Sequence, residues 1–256
     1  PIKTDLNQTP KVFLASFGDS RMKNSAARLI SQAAAIDCFD EIYVMDERNL
    51  TPEFYDKFKD RLSIHSRGFG YWCWKPQAIK QVMDIMNDGD ILLFCDIGCH
   101  LNEARRNEML NLIERARNSS SGILAFSFSP DYTDGHWSKG DLLDYFGVRG
   151  RADITANPQL VGGVFFLRKN QLVVNMLNEW LKVFNDNFSL SDDTPSVSKN
   201  LDGFVENRHD QSIFSILAKL NKADIIAEDH FLNYTKMSES DWEKLSFPIQ
   251  ARRDKN

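Results

Sequence analysis

Four groups of residues combine types and spacings that suit chemistry. The first is the apolar run Ile91-Leu92-Leu93-Phe94-Cys95, which ends in Asp96 and continues as Ile97-Gly98-Cys99-His100. Open α/β sheets bind ligands in the crevice beyond their strand ends, so a carboxylate delivered there can face a ligand; the same aspartate can equally cap a turn or helix. The second group is Arg67-Gly68-Phe69-Gly70-Tyr71-Trp72-Cys73-Trp74-Lys75-Pro76, with two cations, two glycines and four aromatic rings ahead of a helix start. Such a stretch offers a base a stacking surface and a diphosphate positive charge, or it forms a packed aromatic corner with Arg67 and Lys75 snorkelling to water. The third is Glu206-Asn207-Arg208-His209-Asp210-Gln211-Ser212. Asp210 and Gln211 suit a helix cap and first turn, yet five polar groups are more than a cap requires. The fourth, Glu228-Asp229-His230, supplies oxygen and nitrogen ligands of the kind a hard divalent cation accepts.

The elements that must position these groups alternate. Short β-rich runs at 11–17, 41–45, 90–95, 122–129 and 160–168, with a further strand at 224–227, are separated by stretches of helical periodicity at 21–36, 76–87, 103–117, 171–185 and 210–220. This pattern predicts an α/β fold with a mainly parallel central sheet flanked by helices. Two stretches, 130–158 and 188–204, lack clean periodicity and exceed ordinary connection lengths, so they read as loops on the substrate side. The basic end, Arg252-Arg253-Asp254-Lys255, reads as a solvated tail or as a weak membrane-surface contact.

Composition excludes several classes. With 31 Lys plus Arg against 36 Asp plus Glu, the net charge of −5 argues against a nucleic-acid partner. No run approaches the roughly 18 apolar residues of a membrane span. Residues 1–10 lack the apolar core of a signal peptide, so the chain is expected in the cytoplasm, at most peripheral at the inner face of its membrane. The four cysteines contain no CxxC pair, which suggests buried free thiols rather than a zinc knuckle or a disulfide framework.

Taken in order, Arg67 to Pro76, then Asp88-Gly89-Asp90 through Cys99, then Gln159-Leu160-Val161-Gly162-Gly163-Val164-Phe165-Phe166-Leu167, then Arg208-His209-Asp210-Gln211-Ser212, resemble the signature of bacterial GT-A-fold glycosyltransferases. These build capsule and O-antigen polysaccharides and are distantly similar to glycosyltransferase family 8. The resemblance runs over residues 11–235. It implies one domain over 1–256, with a nucleotide-sugar half at about 11–129, an acceptor half at about 130–235 and a tail at 236–256. It implies a UDP-sugar donor carrying a hexose, galactose ahead of glucose, and an oligosaccharide or lipid-linked acceptor from capsule, O-antigen or lipooligosaccharide synthesis. Carried over by position, Ala15, Ser16 and Phe17 would line the nucleoside pocket, with Arg67, Tyr71, Trp74, Gly163 and His209 on the donor and Lys75 reaching nucleotide or phosphate. Asp96 matches the first carboxylate of a DxD metal motif, with His230 as the later ligand of manganese or magnesium. The second acidic position is Gly98, a departure that puts ordinary bidentate metal binding in question. Asp210 and Gln211 match the polar pair beside the reacting sugar. Cys99, His100 and His136 are second-rank candidates.

The residue types suit that reaction. A departing nucleoside diphosphate gathers negative charge and needs a cation or basic side chains, the part of Lys75, Asp96 and His230. The sugar gathers oxocarbenium character and needs a carboxylate or amide, the part of Asp210 and Gln211. Two rivals stand beside it. Phe17-Gly18-Asp19-Ser20 resembles the nucleophile motif of GDSL hydrolases, but none of the five histidines follows an aspartate by three positions, as that family's DxxH requires. A glycan or nucleotide-sugar binder that kept the fold but lost catalysis would explain Gly98.

Overall fold

The computed structural model describes residues 9–227, 239–244 and 246–254. The β-rich runs form β1 (Val12–Phe17), β2 (Glu41–Met45), β3 (Ile91–Cys95), β4 (His100–Leu101), β5 (Ile123–Ser127), β6 (Leu160–Arg168), β7 (Asp224–Ala227) and β8 (Ile249–Gln250). Six of them make one sheet in the order β2-β1-β3-β6-β5-β7. β1 pairs parallel with β2 and β3, and β5 parallel with β7, whereas β6 runs antiparallel to both its neighbours. This reversal decides where the chemistry lies. It sets the start of β6 against the end of β3, with Cys95 opposite Val164, so that the Gly163 carbonyl accepts from the Asp96 amide at 2.8 Å.

Side chains alternate across the strands, so each face of the sheet has its own core. Phe13, Ala15, Phe17, Leu92, Phe94, Phe165 and Leu167 bury one face. Against it pack α4 (Trp74–Ile85), α9 (Gln171–Asp186) and α10 (Asp210–Leu220), preceded in the chain by α1 (Lys23–Ile36), α2 (Pro52–Phe58) and the one-turn α3 (Gly68–Tyr71). Leu14, Leu93, Cys95, Val164 and Phe166 bury the other face under α1 and α5 (Arg106–Asn118). Helix α9 starts where the Asn170 side chain accepts from the Val173 amide at 2.8 Å. Asp90 takes no part in the ligand end of β3; its two carboxylate oxygens clamp the amides of Lys11 and Asn87, each at 2.8 Å.

The expected α/β sheet is present, with corrections at its edges. The helix expected at 76–87 begins at Trp74, with Pro76 in its first turn where the missing amide hydrogen is no loss. The helix expected at 103–117 opens with a 3-10 turn over Glu103–Arg105 before α5. The stretch 130–158, expected as loop, holds three short helices, α6 (Asp134–Trp137), α7 (Gly140–Tyr145) and α8 (Ala152–Thr155), too brief to show a helical period. In the expected solvated tail Arg253 and Asp254 are exposed, and the stretch before it adds a strand. After α11 (Glu239–Lys244), β8 pairs antiparallel with β4, burying Ile249 and Gln250.

Candidate active site

Lys75 lies in the first turn of α4, and its side chain is only 2% exposed. A buried ammonium is tolerable only when paired, and this one meets Asp210 Oδ2 at 2.6 Å and Asp96 Oδ1 at 3.2 Å. It also donates to the Gly162 carbonyl at 2.9 Å. Burial pulls against its charge, but the two carboxylates prevail and hold its pKa above the usual lysine value. The partners differ in access. The Asp96 side chain is 42% exposed, whereas that of Asp210 is 6% exposed at the first residue of α10. Burial pushes the Asp210 carboxyl up to about 6 against the opposing pull of Lys75.

Two glycines of β6 make the close approach possible. A Cβ on Gly163 would stand 2.6 Å from Asp96 Oδ2, and one on Gly162 would stand 2.8 Å from the Gln211 Cβ. The Gln211 carboxamide is fixed at both ends: its Oε1 accepts from the Gly162 amide at 3.2 Å and its Nε2 donates to Gln159 Oε1 at 2.7 Å. Gln159 in turn donates to Asp134, which is fully buried and paired with Lys219 at 2.6 Å. Burial raises the Asp134 carboxyl despite Lys219. The sequence reading missed this support. A charged residue within a helical period, as Lys219 is in α10, was the available signal.

The aromatic segment turns left-handed. Gly68, Phe69, Gly70, Tyr71 and Trp72 all have φ between 53° and 92°, a conformation that costs a residue with a side chain roughly 1–2 kcal/mol. Surrounding contacts over-determine it: Trp74 stacks on Phe17 with centroids 4.1 Å apart, and its Nε1 donates to the Gly68 carbonyl at 3.0 Å. His209, just before Asp210, is also left-handed at φ 57° and lies over Trp72 at 5.6 Å. Its Nδ1 donates to the Ser191 carbonyl at 2.6 Å, and burial lowers its pKa, so the ring is neutral with the proton on Nδ1. Arg67 and Tyr71 both reach Asp193, at 3.2 and 3.0 Å, joining this corner to the 188–204 loop.

The sequence-predicted site residues therefore divide. Lys75, Asp96, Asp210, Gln211 and Gly163 meet; His209, Tyr71 and Arg67 border them. Ala15, Ser16 and Phe17 are buried in the sheet, and the Ser16 hydroxyl donates to the Cys95 carbonyl at 2.7 Å. Trp74 is likewise a core ring. Lys75 faces two carboxylates rather than open solvent. His230 lies outside the described residues. Cys99 is buried against Cys95, His100 bonds Asp254 and Gln32, and His136 bonds the Asp131 carbonyl. Ser20 opens a 3-10 turn whose Asp19 is bound to Arg21, and His100, His136 and His209 bond elsewhere.

Of the two expected metal ligands, Asp96 alone lies among the described residues. One oxygen of Asp96 faces the Lys75 ammonium, and at Gly98 a Cβ would stand 3.0 Å from the Arg253 Cα. A second carboxylate there would run into the chain's own backbone. No group of three histidine, cysteine, aspartate or glutamate side chains able to hold a metal occurs among the described residues.

No protein-family model matches the chain, and no curated protein matches it by sequence. Solved structures do match. The bifunctional glycosyltransferase WbbM, in its apo form, aligns with a TM-score of 0.50 and 12% identity over 98% of this chain and 47% of its own, so this chain spans about half of it. Mouse xyloside xylosyltransferase 1 aligns at 0.47 and 11% over 94% of this chain and 97% of its own, and the galactosyltransferase LgtC, bound to donor and acceptor sugar analogues, at 0.44 and 12% over 93% and 86%. The chain has the GT-A fold of glycosyltransferases, a mixed α/β architecture with a mostly parallel six-stranded sheet between helices.

Proposed function

We propose that the protein is a glycosyltransferase that moves a hexose, galactose ahead of glucose, from a UDP-sugar to an oligosaccharide or lipid-linked glycan in bacterial surface polysaccharide synthesis. The observation that carries the reading is the meeting of Asp96, Lys75 and Asp210 under the Gly162-Gly163 pair, where β3 ends against β6. The fold supports the class, and the ordered motifs support the donor and the pathway. No helix among the described residues is long and apolar enough to cross a membrane, and we place the enzyme in the cytoplasm, peripheral at the membrane when its acceptor is lipid-linked.

In this reading Asp96, the accessible carboxylate, faces the sugar, while Lys75 and Asp210 hold it in one orientation from below. The bond from the anomeric carbon to the β-phosphate oxygen breaks, its electron pair leaving on that oxygen. The acceptor hydroxyl oxygen bonds the anomeric carbon, and its proton passes to the departing diphosphate. Fixed negative charge at Asp96 and the oriented Gln211 carboxamide stabilise the cationic sugar between these events.

The test is turnover of UDP-galactose and UDP-glucose, followed as UDP release, by wild type and Asp96→Asn. We expect slow donor hydrolysis that falls at least about 100-fold in the variant with its melting temperature kept, a loss typical of a charge that acts in the transition state. UDP bound without turnover of any donor would favour the non-catalytic binder. Equal turnover in the variant would remove Asp96 from the site.

A further inference from the structure

The segment 246–254 comes to the end of β3 and stays there. β8 pairs with β4, the Asn102 amide donates to the Pro248 carbonyl at 2.9 Å, and Ile249 is buried. Beyond β8 the Asp254 amide donates to the Gly98 carbonyl at 3.2 Å, and the Asp254 carboxylate accepts from His100 Nε2 at 2.7 Å. Gly98 has no side chain because Arg253 occupies that space: its Cα and carbonyl carbon lie 3.0 and 3.1 Å from where a Cβ would be. Arg253 itself is left-handed at φ 59°, a conformation that the contacts on either side impose, and its side chain is exposed. Two more guanidinium groups surround the loop. Arg28 donates to the Ile97 carbonyl at 3.1 Å, and Arg252 is fixed on Gln250 at 2.6 Å. Burial raises the Tyr132 phenol, and Arg208, with a smaller contribution from the charge of Arg253, opposes that rise. Where a DxD motif would set a second carboxylate two residues after Asp96, this chain sets the backbone of Arg253, whose side chain is exposed.

We infer that Arg253, held on Gly98 by the 246–254 segment, is the cation that meets the diphosphate of the donor, taking the place that a divalent metal would fill. The inference rests on the glycosyltransferase reading and deepens it. A guanidinium binds two phosphate oxygens at once and is always charged, so it stabilises the charge left on the β-phosphate oxygen as the sugar departs. Arg28 and Arg252 add to the positive field without leaving their own partners. The negative charge of Asp96, half neutralised by Lys75, then faces the sugar and not an ion.

The experiment is calorimetric binding of UDP, with uridine as control, to the full chain in EDTA and in millimolar manganese, for wild type, Arg253→Ala and Arg253→Lys. We expect wild type to bind UDP in EDTA, manganese to change the affinity less than about threefold, and Arg253→Ala to weaken UDP about 10- to 100-fold, as loss of a charge-assisted phosphate contact does. Uridine affinity should not change in the variants, a result that mere loosening of the segment would not give, and Arg253→Lys should recover part of the loss. UDP binding that needs manganese and is the same in Arg253→Ala overturns the inference and leaves the glycosyltransferase reading standing. Failure of wild type to bind UDP in either buffer overturns both.

Discussion

Replacing Asp210 with asparagine tests the buried triad through its response to pH. In the folded protein burial lifts this carboxyl from the ordinary 3.8 to about 6, with Lys75 opposing. A carboxyl whose folded pKa is raised binds its proton more tightly folded than unfolded. Its full contribution to stability is therefore present below pH 3.8 and is lost as pH rises through about 6. At ~1.4 kcal/mol per pH unit, the loss across that window is about 3 kcal/mol, an order of magnitude for a coupled pair. Asparagine keeps the shape and cannot ionise, so its stability should lack that decline. The difference in unfolding free energy, wild type minus Asp210→Asn, should become more negative by about 2 kcal/mol between pH 4 and 6.5 and stay nearly level from there to pH 8. Urea unfolding at half-unit pH intervals measures it, with the slope against denaturant confirming two-state behaviour at each point. Activity should rise in wild type across the same window and lose that step in the variant. Parallel stability profiles for the two proteins would mean that Asp210 titrates as an ordinary surface carboxylate, and the geometry of the triad would be wrong.

Two further substitutions probe the parts around it. Lys75→Met removes one partner of a buried ionic cluster and should cost about 3–5 kcal/mol at pH 7.5, with part of the loss recovered in the double variant Lys75→Met/Asp210→Asn; thermal melts of the three variants measure the coupling. Gly163→Ala places a methyl group 2.6 Å from Asp96 Oδ2, so the carboxylate must swing away. Turnover should fall at least about tenfold while the melting point drops by the few degrees that about 1–3 kcal/mol of overpacking produces; unchanged turnover would show that Asp96 need not lie where β6 holds it.

What the sequence disclosed and what it concealed follow from how far apart the partners lie along the chain. Strand and helix periods are local, so the sheet and its covering helices could be read, whereas α6, α7 and α8 are each too short to express a period. Asp96 and Asp210 each close or open an element, which makes them legible, but the pairing of Lys75, expected on nucleotide or phosphate, with both carboxylates is not. Only the reversal of β6 brings Gly162, Asp210 and Asp96 around its ammonium, and strand direction is not a local property. The same holds for Phe17, on whose ring Trp74, 57 positions further on, stacks at 4.1 Å. Gly98 is the most instructive residue. In the linear chain it is a carboxylate gone missing, and it equally motivates a lost metal site and a dead enzyme. In the fold it is a contact surface for the backbone of Arg253, more than 150 positions away, and its lack of a side chain is what admits that backbone. On the inference drawn above, what looks like loss in one dimension is a change in the source of the cation, and the charge of Arg253, not the spelling of the motif, should decide whether the sugar can be transferred.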